Sequence, residues 1–177
     1  MYILFDIGAT KTRIAYSETG ENFEDPKVYE TPKNYDEGLK LFINTAKELA
    51  NGREIKKIAG GMSRNIAGWT YEKLKADLEK NFGVDAVVEN DSAIVGLGEA
   101  VFGAGREFEI IAYVTVSTGV GGVKIVNGRI DEHAVGFEPG KQIMDVNTKK
   151  TLEDMISGRA LQEKTGKHPK EITDPAV

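Results

Sequence analysis

Apolar positions recur along this chain with two periods, and the switches between them mark out its elements. Residues 1–7, MYILFDI, read as a buried strand. Gly8-Ala9-Thr10-Lys11 reads as a turn, and the alternating stretch 12–17, TRIAYS, as the returning strand of a hairpin. Residues 27–31 predict a third strand. Leu39, Phe42, Ile43, Ala46 and Leu49 recur at helical spacing, so a helix is predicted over 35–50, ended by Asn51-Gly52. A short apolar strand over 55–59 is expected to stop at Gly60-Gly61. A helix is predicted over 69–82 on the Leu74/Leu78 pair, closing at Gly83. A strand follows over 84–88, then a helix capped by Asn90 or Asp91 and reaching about Phe102. Close packing of that helix is expected through Gly96, Gly98 and Ala100. Residues 109–116 and 121–126 predict a second hairpin, and 151–165 a last helix closing at Gly166.

Strands alternating with helices predict an α/β fold with helices packed on a mixed sheet. The second hairpin, with its own glycine turn, suggests a second subdomain. The boundary is placed after Gly105, giving domains 1–105 and 106–177. The 177 residues, 40% apolar, suffice for a substantial core. A net charge of −5 favours neither nucleic acid nor an anionic membrane as partner. The absence of cysteine excludes disulfides, thiol catalysis and cysteine-bound zinc. The two histidines, His133 and His168, are too far apart in sequence to suggest a metal site. No long apolar run or secretory leader pattern is present, so a cytoplasmic location is expected.

Five stretches can carry chemistry, most of them with a plainly structural reading beside it. Asp6-Ile7-Gly8-Ala9-Thr10-Lys11 puts an acid at a strand end beside a turn with a hydroxyl and an ammonium. That set suits Mg²⁺ at Asp6 and phosphate oxygens at the turn, or else an ordinary hairpin. Glu89-Asn90-Asp91-Ser92 lies between strand and helix, where ligands collect in α/β folds, and equally caps the helix. Ser117-Thr118-Gly119-Val120-Gly121-Gly122 suits either a tight turn with φ > 0 or a phosphate seat made of backbone N–H groups. Gly136-Phe137-Glu138-Pro139-Gly140-Lys141 and Leu152-Glu153 are weaker signals, Glu153 being a favourable first-turn acid.

In this order the stretches resemble the ROK family of sugar kinases and sugar-responsive repressors, over nearly the whole chain. The resemblance implies an actin-like ATPase, ribonuclease-H-like fold, with a complete N-terminal domain and a partial second one. It implies ATP-dependent phosphorylation of a hexose or amino sugar. The alternative is a non-catalytic sugar- or nucleotide-binding module. ATP and Mg²⁺ are the implied cofactors. By position, Asp6, Gly8, Thr10 and Lys11 match the first phosphate hairpin, with Asp6 also the magnesium candidate. Thr118, Gly119, Gly121 and Gly122 match the second. Asn90, Glu138 and Glu153 match sugar-hydroxyl ligands, and Asp91 the catalytic base.

The chain departs from the family pattern in three places. Lys141 stands where a zinc-binding histidine is usual and the cysteine loop is missing, so no zinc is expected and Lys141 becomes a candidate sugar contact. The loop around Ser63-Arg64-Asn65 is short, with Arg64 read as a solvated cation or a contact to an acidic sugar. The sequence also ends at Val177, before the family's adenosine-binding segment, so either a missing C-terminal segment or a homo-oligomer is expected. The first strand begins at Met1, so no DNA-binding helix-turn-helix is expected.

Overall fold

The computed structural model describes residues 1–64, 66–131 and 137–172. It forms two compact units, Met1–Ile94 and Val95–Val177. In the first, β1 (Tyr2–Ile7), β2 (Lys11–Ser17), β3 (Lys27–Glu30), β4 (Lys57–Met62) and β5 (Ala86–Asn90) make one sheet in the order β3-β2-β1-β4-β5. β2 runs antiparallel to β1 and β3, whereas β1, β4 and β5 are parallel. This is the ribonuclease-H-like arrangement of the actin-like ATPases.

Alternation along β1 explains what the sheet buries. Ile3, Phe5 and Ile7 face the core while Tyr2, Leu4 and Asp6 face the other side. Asp6 is therefore not trapped in a buried strand, and its side chain is 47% exposed. Against the buried face lie α1 (Tyr35–Ala50), through Phe42 and Ala46, and α2 (Tyr71–Phe82), through Leu74 and Leu78. Phe5 meets Phe42 edge to face at 5.3 Å. Asn34 caps α1 by accepting from Asp36 and Glu37 N–H, and Asn51 ends it in the left-handed region. Thr70 caps α2, so Trp69 lies outside that helix, buried edge-on against Tyr35.

Gly60 and Gly61 do not stop β4, which runs through both. A Cβ at Gly60 would stand 2.1 Å from the Phe5 carbonyl oxygen, and one at Gly61 2.9 Å from the Cα of Asp91. These glycines permit close approach rather than a turn. β5 sits two residues later than predicted, so α3 (Asp91–Val101) begins directly at its end.

The second unit holds β6 (Ile110–Val116), β7 (Val120–Val126) and β8 (Arg129–Ile130), antiparallel in that order. A 3-10 turn over Pro139–Lys141 follows, then the small hairpin β9 (Ile143–Asp145) and β10 (Lys150–Thr151). The helix predicted over 151–165 is two, α4 (Leu152–Ile156) and α5 (Gly158–Thr165). Ser157 is extended and fully buried, and its hydroxyl accepts from Ala160 N–H to start α5. The units divide between Ile94 and Val95, inside α3, whereas the sequence placed the boundary after Gly105. The physical reason is Gly96. Its missing side chain admits Tyr113 and Val123, both within 3 Å of where a Cβ would be. Gly98, expected to pack tightly, has no atom within 4 Å of a Cβ position.

The outer face of β6 is apolar and open: Ile110 is 67% exposed, and Ala112, Val114 and Val116 are also exposed. Among the described residues β6 pairs on one side only, with β7. Among the described residues no helix is long and apolar enough to cross a membrane.

Two substitutions separate close approach from mere flexibility. Gly60→Ala should lower unfolding stability by about 1–3 kcal/mol through overpacking against Phe5. Gly98→Ala, in a helix with open space, should raise it by roughly 0.5–1 kcal/mol. Urea unfolding followed by circular dichroism measures both.

Candidate functional site

The first candidate loop is the β1–β2 turn. Gly8 N–H donates to the Lys11 carbonyl at 2.9 Å and closes it. The Gly8 carbonyl accepts from the Thr31 hydroxyl at 2.7 Å, and the Thr10 carbonyl from Thr31 N–H at 3.0 Å. Three turn carbonyls are thus held by protein donors. Among the described residues no acceptor stands against the N–H groups of Ala9 and Thr10, and both residues are exposed. Gly8 is not in the left-handed region. Lys11 Nζ lies 3.5 Å from Glu30, with both side chains well exposed. Asp6 accepts from Arg13 Nη1 at 2.7 Å, its cross-strand partner. Among the described residues no three or more His, Cys, Asp or Glu gather as a metal cluster. One carboxylate beside phosphate oxygens and water is an ordinary Mg²⁺ donor set.

The second loop, between β6 and β7, is only Ser117-Thr118-Gly119, closed by Ser117 N–H on the Gly119 carbonyl at 2.8 Å. Gly121 and Gly122 belong to β7 and pair with Thr115 and Val114. Neither they nor Gly119 take positive φ, so the tight-turn explanation of these glycines fails. At Gly119 and Gly122 the reason is crowding. A Cβ at Gly119 would stand 2.7 Å from Glu153 Oε2, and one at Gly122 2.8 Å from Pro139 Cγ. The start of α5 ties off the remaining carbonyls: Gly158 N–H donates to Ser117 at 2.7 Å and Arg159 N–H to Thr118 at 3.3 Å. The N–H groups of Thr118 and Gly119 are left without an acceptor among the described residues.

Glu153, half-buried in α4, fixes this loop to its surroundings. Oε2 accepts from Val120 N–H at 2.9 Å, while Oε1 accepts from Lys141 Nζ at 3.1 Å and Arg159 Nη2 at 3.2 Å. The Val120 hydrogen bond, then the Lys141 hydrogen bond and the charges of Lys141 and Arg159, hold its carboxyl below the usual range. Lys141 and Glu153, both expected at a sugar, are therefore joined to each other. Glu138 precedes the 3-10 turn, and its carbonyl accepts from Lys141 N–H at 2.9 Å. Gly136 and His133, from the sequence analysis, lie outside the described residues, as does Asn65.

The Asn90-Asp91 pair stands at the β5–α3 junction. Asn90 Oδ1 accepts from Ala93 N–H at 3.2 Å, so Asn90 is the cap. Its Nδ2 donates to Asp91 Oδ1 at 3.0 Å, which also accepts from Ser92 N–H at 2.8 Å. Asp91 Oδ2 meets no protein donor among the described residues. The tight contact at Gly61 sets where the helix begins, and hence where this carboxylate sits. None of Thr31, Arg13 or Tyr71 was singled out from the sequence. Tyr71 braces Asn90 by accepting from its Nδ2 at 3.4 Å while donating to the Met62 carbonyl at 3.1 Å.

A model of the ROK family matches residues 2–177. The glucokinase of Thermotoga maritima is 31% identical over 70% of this chain and 46% of its own length. The xylose repressor of Bacillus subtilis is 33% identical over 46% of this chain and 22% of its own. The crystal structure of a ROK family glucokinase from Streptomyces griseus, in complex with glucose and AMPPNP, aligns with TM-score 0.73 and 22% identity. It covers 93% of this chain and 62% of that one. The chain spans about half the length of the curated glucokinases it matches.

The clamp at Glu153 predicts a graded response. Glu153→Ala orphans the buried Val120 N–H and should cost about 1–3 kcal/mol, whereas Glu153→Gln keeps an acceptor and costs less. Because folding lowers the carboxyl's pKa, its stabilisation is present above the ordinary 4.5 and lost as pH falls through the lowered value. The wild-type minus Glu153→Gln difference in thermal midpoint should therefore shrink as pH is lowered below that point.

Proposed function

The chain belongs to the ROK family, and we propose that it serves ATP-dependent phosphorylation of a hexose or amino sugar. The observation that carries this is shared by the two glycine-bearing loops: the carbonyls of Gly8, Thr10 and Lys11 in one, and of Ser117, Thr118 and Gly119 in the other, are held by protein donors while adjacent N–H groups stay available to an anion. The glucokinases among its relatives, and the Streptomyces griseus structure with glucose and AMPPNP, support sugar and nucleotide as the two ligands.

In this reading Ala9, Thr10 and Lys11 on one loop, and Thr118 and Gly119 on the other, receive phosphate oxygens. Bound Mg²⁺–ATP supplies the phosphoryl group and the charge neutralisation, with Asp6 the carboxylate nearest that role. Asn90, Glu138 and Glu153 take sugar hydroxyls, with Lys141 beside Glu153. Asp91 Oδ2 accepts the proton of the attacking hydroxyl as its oxygen bonds to the γ-phosphorus and the bond to ADP breaks. Asp91 Oδ1, fixed by Asn90 and Ser92, keeps the carboxylate aimed. A donor of this kind fits a cytoplasmic location.

The second reading, a non-catalytic sugar- or nucleotide-binding module, is favoured by the match to the xylose repressor. ADP release coupled to NADH oxidation, across a panel of hexoses and amino sugars, separates the two. Turnover is expected with at least one sugar, and Asp91→Asn should lower it roughly 10²–10⁴-fold while calorimetry shows sugar affinity retained. Binding without turnover would leave the module.

The open apolar face and single-sided pairing of β6 support an assembly, by a second copy or a further segment covering it. Light scattering at micromolar concentration should give a mass above the monomer, and Val114→Lys should lower it.

A further inference from the structure

We propose that Thr31, at the end of the edge strand β3, is a positioning residue of the β1–β2 phosphate turn. The inference rests on the phosphate reading above. A peptide turn presents carbonyl oxygens as readily as N–H groups, and an unrestrained carbonyl at an anion site repels the ligand. Thr31 restrains two of the three held carbonyls in this turn. Its hydroxyl donates to Gly8 at 2.7 Å and its backbone N–H to Thr10 at 3.0 Å.

The direction of these bonds follows from proton counting. Thr31 has one hydroxyl proton, and the Gly8 carbonyl can only accept it. At the 3.0 Å contact between Thr12 Oγ1 and Thr31 Oγ1, Thr12 is therefore the donor. The relay runs Thr12 to Thr31 to Gly8. Thr12 is buried, at 4% exposure, so its own proton has no water alternative. The neighbouring pair of Glu30 with Lys11 brings the turn's cation to the same strand end. β3 itself is four residues long with an exposed, alternating pattern, and adds little to the core. Its last residues matter through the turn they hold.

The experiment compares Thr31→Val, of nearly equal volume without the hydroxyl, with Thr31→Ser, which keeps it. Mg²⁺–ATP affinity is measured by calorimetry. Hydrogen exchange of the amides at positions 8 and 31, bonded to Lys11 and Thr10, is measured by NMR. Thr31→Val should weaken Mg²⁺–ATP roughly 5–10-fold, as expected for one lost hydrogen bond, and speed exchange at both amides about tenfold. Thr31→Ser should stay within about twofold of wild type on both counts, an effect that lost packing alone would not reproduce. Unchanged exchange in Thr31→Val, or equal losses in both variants, overturns the positioning role. Failure of wild type to bind Mg²⁺–ATP overturns the phosphate reading instead, and the exchange comparison still decides whether Thr31 fixes the turn.

Discussion

A loop can offer its N–H groups to an anion only when its carbonyl oxygens are occupied elsewhere. The backbone carries one donor and one acceptor per residue, and a short turn has little freedom to hide either. This protein occupies three carbonyls in each of two loops, with different donors. In the first unit an edge strand supplies a hydroxyl and an amide from Thr31. In the second, the first amides of α5 turn to Ser117 and Thr118. Those helix amides would otherwise have been orphans needing partners of their own, so one set of bonds satisfies both the loop and the helix end.

The glycines serve this arrangement mostly by letting other atoms come close. Gly60 admits the Phe5 carbonyl, Gly61 the start of α3, Gly119 the Glu153 carboxylate and Gly122 the Pro139 ring. Left-handed backbone is confined to other positions, such as the helix ends at Gly83 and Gly166 and the Asn127-Gly128 turn. Glu153 ties the β6–β7 loop, the Pro139–Lys141 turn and α5 together through one carboxylate. Charged partners on two sides and a backbone donor on a third make this a strongly directed junction.

Much of the first unit was legible from the pattern of residues. The period-2 alternation of β1 and β2 and the 3.6 spacing of α1 located the elements and their buried faces. The ordered motifs pointed to the family, and the Asn51-Gly52 stop of α1 was visible too. The errors cluster where a residue type has two physical uses. Gly60-Gly61 looked like a stop because glycine punctuates loops, but within a sheet it also admits a neighbouring chain. Residues 151–165 looked like one helix because Ser157 does not disrupt the apolar spacing. Burial of its hydroxyl as the cap of α5 splits the segment in two.

By itself the sequence determined which residues could carry charge, donate protons or approach closely, because composition and local periodicity are properties of the chain alone. It could not determine which donor meets which carbonyl. Thr31 and Gly8 are 23 residues apart, Glu153 and Val120 33. Such bonds exist only once sheet register and helix packing bring the partners within 3 Å. Tertiary structure decided that Asp6 answers Arg13 and Lys141 answers Glu153, because each long side chain settles on the nearest opposite charge the fold supplies.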